Sequence, residues 1–179
     1  MMARAPDGKR GTRDGFPHIP GSGSVVRCGG RVAGMIYLLR HGEAEPDQGA
    51  GDAARRLTEK GEDQARAAGR ALARIGAGIE TCLSSPKVRA FDTAKLACEA
   101  LGLELETVDA IGSGDYDSLD LAAGRGDTLI VGHEPDMSTE VARLTGANIK
   151  MKKGGLAVIK GSTLLALLRP AELARIAEN

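Results

Sequence analysis

Short apolar runs alternate with amphipathic stretches of helical length from Met35 onward, and this alternation limits the folds open to the chain. "MIYLL" (35–39), "TCLSS" (81–85) and "DTLIVGH" (127–133) are continuous runs, as strands covered on both faces require. Between the first two, Thr58 caps a helix expected over 59–75. Ala65, Ala68, Leu72 and Ile75 share its inner face, Arg66, Arg70 and Arg74 form a solvated one, and Glu62 supports Arg66 from one turn ahead. Ser85 and Pro86 mark the start of a second helix, lined by Val88, Phe91, Cys98 and Leu101 and stopped at Gly102. "LELET" (103–107) is a weaker strand, and the Gly- and Asp-rich stretch 108–126 holds one short helix near 119–123. "PDMSTEVARLTG" (135–146) reads as a helix with Met137, Val141 and Leu144 inward. "GLAVIKGSTLLALLRP" reads as a hairpin turning at Gly161 and Ser162, before a last helix at Pro170. The expected architecture is an α/β class, three-layer α/β/α sandwich with a mainly parallel sheet.

Residues 1–34 break this pattern. They are dense in Gly, Pro and Arg and have no period of 2 or 3.6, so they bury too little apolar surface to offset their ordering entropy. A disordered basic extension is expected there, followed by one domain over 35–179; translation starting at Met35, or a basic arm for RNA or protein, are the alternatives. The 179-residue chain is neutral, with 24 basic and 24 acidic residues, but six of the basic ones fall in 1–34 against Asp7 and Asp14. That segment is therefore +4 and the rest −4, which gives no global signal for nucleic acid or an acidic membrane. No stretch has the length of a membrane span or the apolar block of a secretory signal, so a cytoplasmic protein is expected. Cys28, Cys82 and Cys98 lack metal-ligand spacing, and the last two read as small buried hydrophobes.

Parallel sheets bind ligands at the carboxyl ends of their strands. "RHG" (40–42), "SSPKVR" (84–89) and "GHEP" (132–135) all follow expected strands, so Arg40, His41, Arg89 and His133 should meet at one edge, with Arg55 or Arg56 and Lys87 nearby. Cations crowded together repel unless an anion joins them, and guanidinium forks match phosphate oxygens. His41 offers more than binding. An imidazole with one nitrogen held by a backbone carbonyl presents the other as a nucleophile, and Gly42 lets the backbone approach closely. In-line attack would give a phosphohistidine enzyme, with Arg40, Arg89 and His133 stabilising the charge on the equatorial oxygens.

"LLRHGEA", "LTEKG", "SSPKVRAFDTA" and "VGHEPDM", in that order, resemble the histidine phosphatase superfamily of phosphoglycerate mutase-like fold, and most of all its SixA-type phosphohistidine phosphatases. "KKGGLAVIK" is similar to the same branch, and the resemblance spans about residues 35 to 169. It implies His41 as nucleophile, Arg40 and Arg89 as phosphate-binding arginines, His133 as second histidine and Arg55 as a further phosphate ligand, with Arg56 the alternative. Two departures stand out. Asp92 occupies a position where the family pattern has an amide or a basic residue, and no general acid aligns clearly. Glu134 follows the second histidine as acid phosphatases of the superfamily place theirs, and Asp115 is a looser candidate.

A weak general acid suits one class of substrate. An alkoxide needs a proton to leave, whereas an imidazole with a pKa of about 6.5 leaves readily from a phosphoramidate. Only 44 positions separate Arg89 from His133, which leaves little chain for a lid and implies an open pocket. The expected activity is therefore removal of phosphate from a phosphohistidine-bearing protein, without metal or cofactor, by a monomer. A small-molecule phosphomonoesterase and a non-catalytic phosphate-binding module are the alternatives.

Overall fold

The computed structural model describes residues 34–179; the extension expected before Met35, with His18 and Cys28, lies outside the described residues. The elements are β1 (Ile36–Arg40), α1 (Glu59–Arg74), β2 (Ile79–Ser84), α2 (Val88–Leu101), β3 (Leu105–Thr107), α3 (Asp109–Ser113), α4 (Ser118–Ala122), β4 (Asp127–Gly132), α5 (Asp136–Thr145), β5 (Leu156–Lys160), β6 (Thr163–Leu168) and α6 (Pro170–Glu178). A single 3-10 turn, Asp52–Ala54, lies between β1 and α1. The six strands form one sheet in the order β3-β2-β4-β1-β5-β6, parallel from β3 to β1 and antiparallel from β1 to β6.

Side chains alternate across this sheet and build two cores. Tyr37, Leu39, Cys82, Leu129, Val131 and Leu156 pack under α1, α2 and α6, while Ile36, Leu38, Leu83, Ile130 and Ala157 pack under α3, α4 and α5. The result is the α/β/α sandwich, with a mixed and mostly parallel sheet. Cys82 and Cys98 are buried, as small hydrophobes are.

Two sequence expectations about α1 and α2 are corrected. Ile75 is 55% exposed and Phe91 39%, although both were read as core. Small residues are buried there instead: Ala68 and Ala71 of α1 share a core cluster with Ala90, Ala94 and Ala97 of α2, and a Cβ on Gly69 would stand 2.7 Å from the Cα of Ala97. Backbones this close leave no room for a phenyl ring. The helix after β2 also starts later than Ser85, with Lys87 as its N-cap, and the stretch 108–126 holds two short helices rather than one. Buried Glu140 on α5 accepts from the backbone N–H of Ser118 (2.8 Å) and from Arg143 (2.8 Å), tying α4 to α5.

Candidate active site

Because β1, β4 and β2 are parallel neighbours, the segments after them emerge on one edge. His41 N–H donates to Gly132 O (3.1 Å), and Ser85 N–H to Val131 O (3.0 Å), so all three segments are stitched together just past the strands. Arg40, His41, Arg89 and His133 meet there. Both histidines are 6% exposed and Arg89 is 5%, and the two rings lie 5.1 Å apart between centroids.

Nδ1 of His41 lies 2.7 Å from Gly42 O. A carbonyl only accepts, so Nδ1 carries the proton and Nε2 presents its lone pair. Nε–H of Arg89 donates to that Nε2 at 3.3 Å. The backbone around the ring is fixed from several sides: Gly42 N–H donates to Thr93 Oγ1 (3.0 Å), which donates to Arg89 O (2.7 Å), and Gly154 N–H donates to His41 O (2.9 Å).

The glycines of "RHG" and "LTEKG" have a common cause. A Cβ on Gly42 would meet the carbonyl oxygen of Gly61 and stand 3.0 Å from its Cα, while a Cβ on Gly61 would meet the carbonyl oxygen of Glu43. The loop after His41 therefore lies directly on the first turn of α1, where Thr58 Oγ1 caps Gly61 N–H at 3.1 Å. Gly61→Ala is expected to cost about 1–3 kcal/mol of stability and to displace His41. Denaturant unfolding checks the first effect and phosphatase rates the second; an unchanged midpoint contradicts the packing.

His133 is held by its other nitrogen. Nε2 lies 2.8 Å from Ser85 Oγ, and Ser85 Oγ also accepts from Lys87 N–H (3.2 Å). The hydroxyl oxygen keeps a second lone pair, so this contact fits either tautomer; where the hydroxyl donates to Nε2, the ring proton sits on Nδ1. Among the described residues, the buried His133 Nδ1 and Arg40 Nε have no hydrogen-bond partner. Arg40 Nε–H, and His133 Nδ1 in the tautomer that carries its proton there, are unspent donors of the kind a phosphoryl group's oxygens accept from.

Arg40 Nη1 donates to Met151 O (2.7 Å), and Glu134 accepts from Met151 N–H (2.9 Å) and from Ser138 Oγ (2.6 Å). Glu134 thus braces the 150–154 loop. Asp115 is exposed. The carboxylate that does reach the arginines is Asp52, which the sequence did not single out. Arg89 donates to its carbonyl (2.6 Å) and its carboxylate (2.9 Å), and Arg55 adds a bond to the other carboxylate oxygen (3.1 Å). Arg55 is thereby tied to Arg89 through Asp52, whereas Arg56 sits apart beside Asp92. Asp52, from the segment between β1 and α1, thus bonds Arg89 beside the two histidines. Lys153, also missed, faces the same site from the 152–154 turn.

Burial is the largest influence on both rings. It pulls His41 down to about 4, with Gly42 O opposing and Arg89, Arg40 and Lys153 adding to the fall. It pulls His133 down to about 3, helped by His41, Arg89 and Lys87. Both are neutral at pH 7. The folded chain resists proton uptake that the unfolded chain accepts below about pH 6.5, so their contribution is complete above that pH and is lost as pH falls through 4 toward 3. The urea midpoint is expected to fall between pH 6.5 and 5, where ordinary carboxylates are still ionised. A midpoint flat across that window contradicts neutral, buried rings.

The histidine phosphatase superfamily (branch 1) model matches residues 36–120, ending before His133. An uncharacterized protein of Picosynechococcus sp. is 30% identical over 134 residues, covering 68% of this chain and 81% of that one. A 2,3-bisphosphoglycerate-dependent phosphoglycerate mutase of Methylobacterium radiotolerans is 39% identical over 81 residues, 38% of this chain and 34% of the mutase. The solved structure of the protein histidine phosphatase SixA complexed with tungstate superposes with a TM-score of 0.67 at 26% identity, covering 78% of this chain and 99% of SixA. With this fold and this pair of histidines, the chain belongs to the histidine phosphatase superfamily, a superfamily of phosphatases and mutases. Among its relatives of known structure, it shares its architecture with the SixA phosphohistidine phosphatases.

Proposed function

We propose that the chain removes phosphate from phosphohistidine on proteins through a phosphorylated His41. The observation that carries this reading is the state of the one carboxylate bonded to the catalytic arginines. Hydrogen bonds from Arg89, then from Arg55, hold Asp52 below the usual carboxylate range, opposite to what a general acid needs. Glu134 is spent on Ser138 and Met151. A substrate whose leaving group is an imidazole suits such a site, since it departs without a strong acid. Tungstate, the oxyanion in the SixA structure, has the shape of phosphate and supports the same site chemistry.

In the first step Nε2 of His41 bonds to phosphorus while the bond to the substrate nitrogen breaks, and solvent supplies the proton to the departing ring. Water then attacks phosphorus, the bond to Nε2 breaks, and the water proton leaves to solvent or to the released phosphate. Arg40 Nε–H, Arg89 and His133 Nδ1–H hold the equatorial oxygens through both steps. The incoming phosphoryl group competes with Asp52 for Arg89.

Initial rates of phosphate release, with chelator present, test this on a phosphohistidine-bearing protein, free phosphohistidine and a panel of sugar phosphates and phosphoserine. Faster release from the phosphohistidine substrates is expected. Equal or better rates on the esters move the reading to a small-molecule phosphomonoesterase.

A further inference from the structure

Beside the active site, α1, α6 and the 152–154 turn enclose a groove of about 620 Å³ that the chemistry does not use. Its floor is Ala67, Pro170, Ala171 and Ala174, side chains too short to fill the space between the helices. Its rim carries Lys152, Lys153 and Arg169 on one side and Glu43, Lys60 and Asp63 on the other.

The acids of that rim have partners of their own, Asp63 only a long one that it shares with Glu62. Lys60 pairs with Glu43 at 2.8 Å, and Asp63 lies 3.7 Å from Arg66. Among the described residues, Lys152, Lys153 and Arg169 make no ion pair. The groove is thus an apolar floor beside three cations outside any ion pair, Lys153 near enough for its charge to act on Glu43, on residues 35–179 whose net charge is −4.

The groove is also continuous with the catalytic backbone. Glu43, two residues past His41, donates its N–H to Gln64 in the groove wall (2.9 Å), and Gly154 N–H reaches His41 O from the same turn that carries Lys152 and Lys153.

Resting on the reading of the substrate as a phosphoprotein, we propose that this groove docks the surface of that protein beside its phosphohistidine: a few apolar side chains over the alanines, flanked by carboxylates facing Lys152, Lys153 and Arg169. Charge selects this occupant over the chain's own first 33 residues, which are +4 and are repelled by the rim. An apolar contact beside unscreened cations gives both affinity and orientation, and its charged part weakens with salt.

Two exposed positions away from the reacting groups test this in the full chain. Lys152→Glu reverses a rim charge, and Ala171→Trp fills the floor. Each is expected to lower kcat/KM on the phosphohistidine protein about tenfold or more, mainly through KM, and to leave free phosphohistidine unchanged. Lys152→Glu should also flatten the salt dependence seen with the native chain. Equal losses on both substrates, no loss on the protein, or a change of oligomeric state with Ala171→Trp would each overturn the docking site. If the native chain releases no phosphate from either phosphohistidine substrate, the functional reading fails and the docking inference with it; activity on both with indifferent variants sinks the docking site alone.

Discussion

His41→Ala abolishes phosphate release, lowering kcat by about four orders of magnitude or more, while tungstate affinity stays within about tenfold of the native value. The separation follows from the geometry. Nε2 is the one nucleophilic lone pair that the bond from Nδ1 to Gly42 O orients, whereas anion binding draws on Arg40, Arg89 and His133. Losing the imidazole removes the covalent route and leaves the cations in place. Steady-state kinetics and calorimetric titration with tungstate check the two halves. Hydrolysis retained in the variant would disprove His41 as nucleophile, and tungstate binding lost with it would show that the ring organises the site rather than reacting in it.

Arg89→Ala is expected to lower kcat/KM by about 10²–10³. Arg89 supplies the donor aimed at His41 Nε2 and the fork that Asp52 occupies, and its side chain is almost wholly buried. Removing it costs a charge on the equatorial oxygens and also leaves Asp52 beside the phosphate without its main partner, a carboxylate repelling a dianion. Asp52→Asn added to Arg89→Ala should therefore recover part of the loss. Arg89→Lys should recover little, because an ammonium cannot reproduce the fork. Full activity in Arg89→Lys, or no recovery in the double variant, contradicts the assigned role.

How far the sequence reached depends on which interactions are local. Continuous apolar runs and their order were enough to line up Arg40, Arg89 and His133 past parallel strands, because strand ends share an edge whenever the crossovers are helical. Gly42, the neighbour of His41, was legible for the same reason, although its contact with Gly61 is set by tertiary packing. Asp52 was not legible. It lies in an aperiodic polar loop, and nothing in such a loop says which of its acids will fold back onto an arginine 37 positions away. Ser85 shows a different limit: its place at the start of a helix was legible and its hydroxyl does accept from Lys87 N–H, but the 2.8 Å approach of His133 to the same oxygen is set by tertiary packing. Phe91 and Ile75 depart from the expectation because apolar size alone does not signal burial where the α1–α2 contact selects small residues.

Among the described residues, no group of three or more metal-ligating side chains is found and no helix is long and apolar enough to cross a membrane. The chemistry proposed for the site rests on its imidazoles and guanidinium groups. The most direct test of that account is rapid acid-free quenching of the native chain during turnover of a phosphohistidine-bearing protein, followed by peptide mass spectrometry. The account predicts phosphate on His41, labile in acid and stable in base. Phosphate on another residue, with His41 unmodified while turnover proceeds, would contradict it.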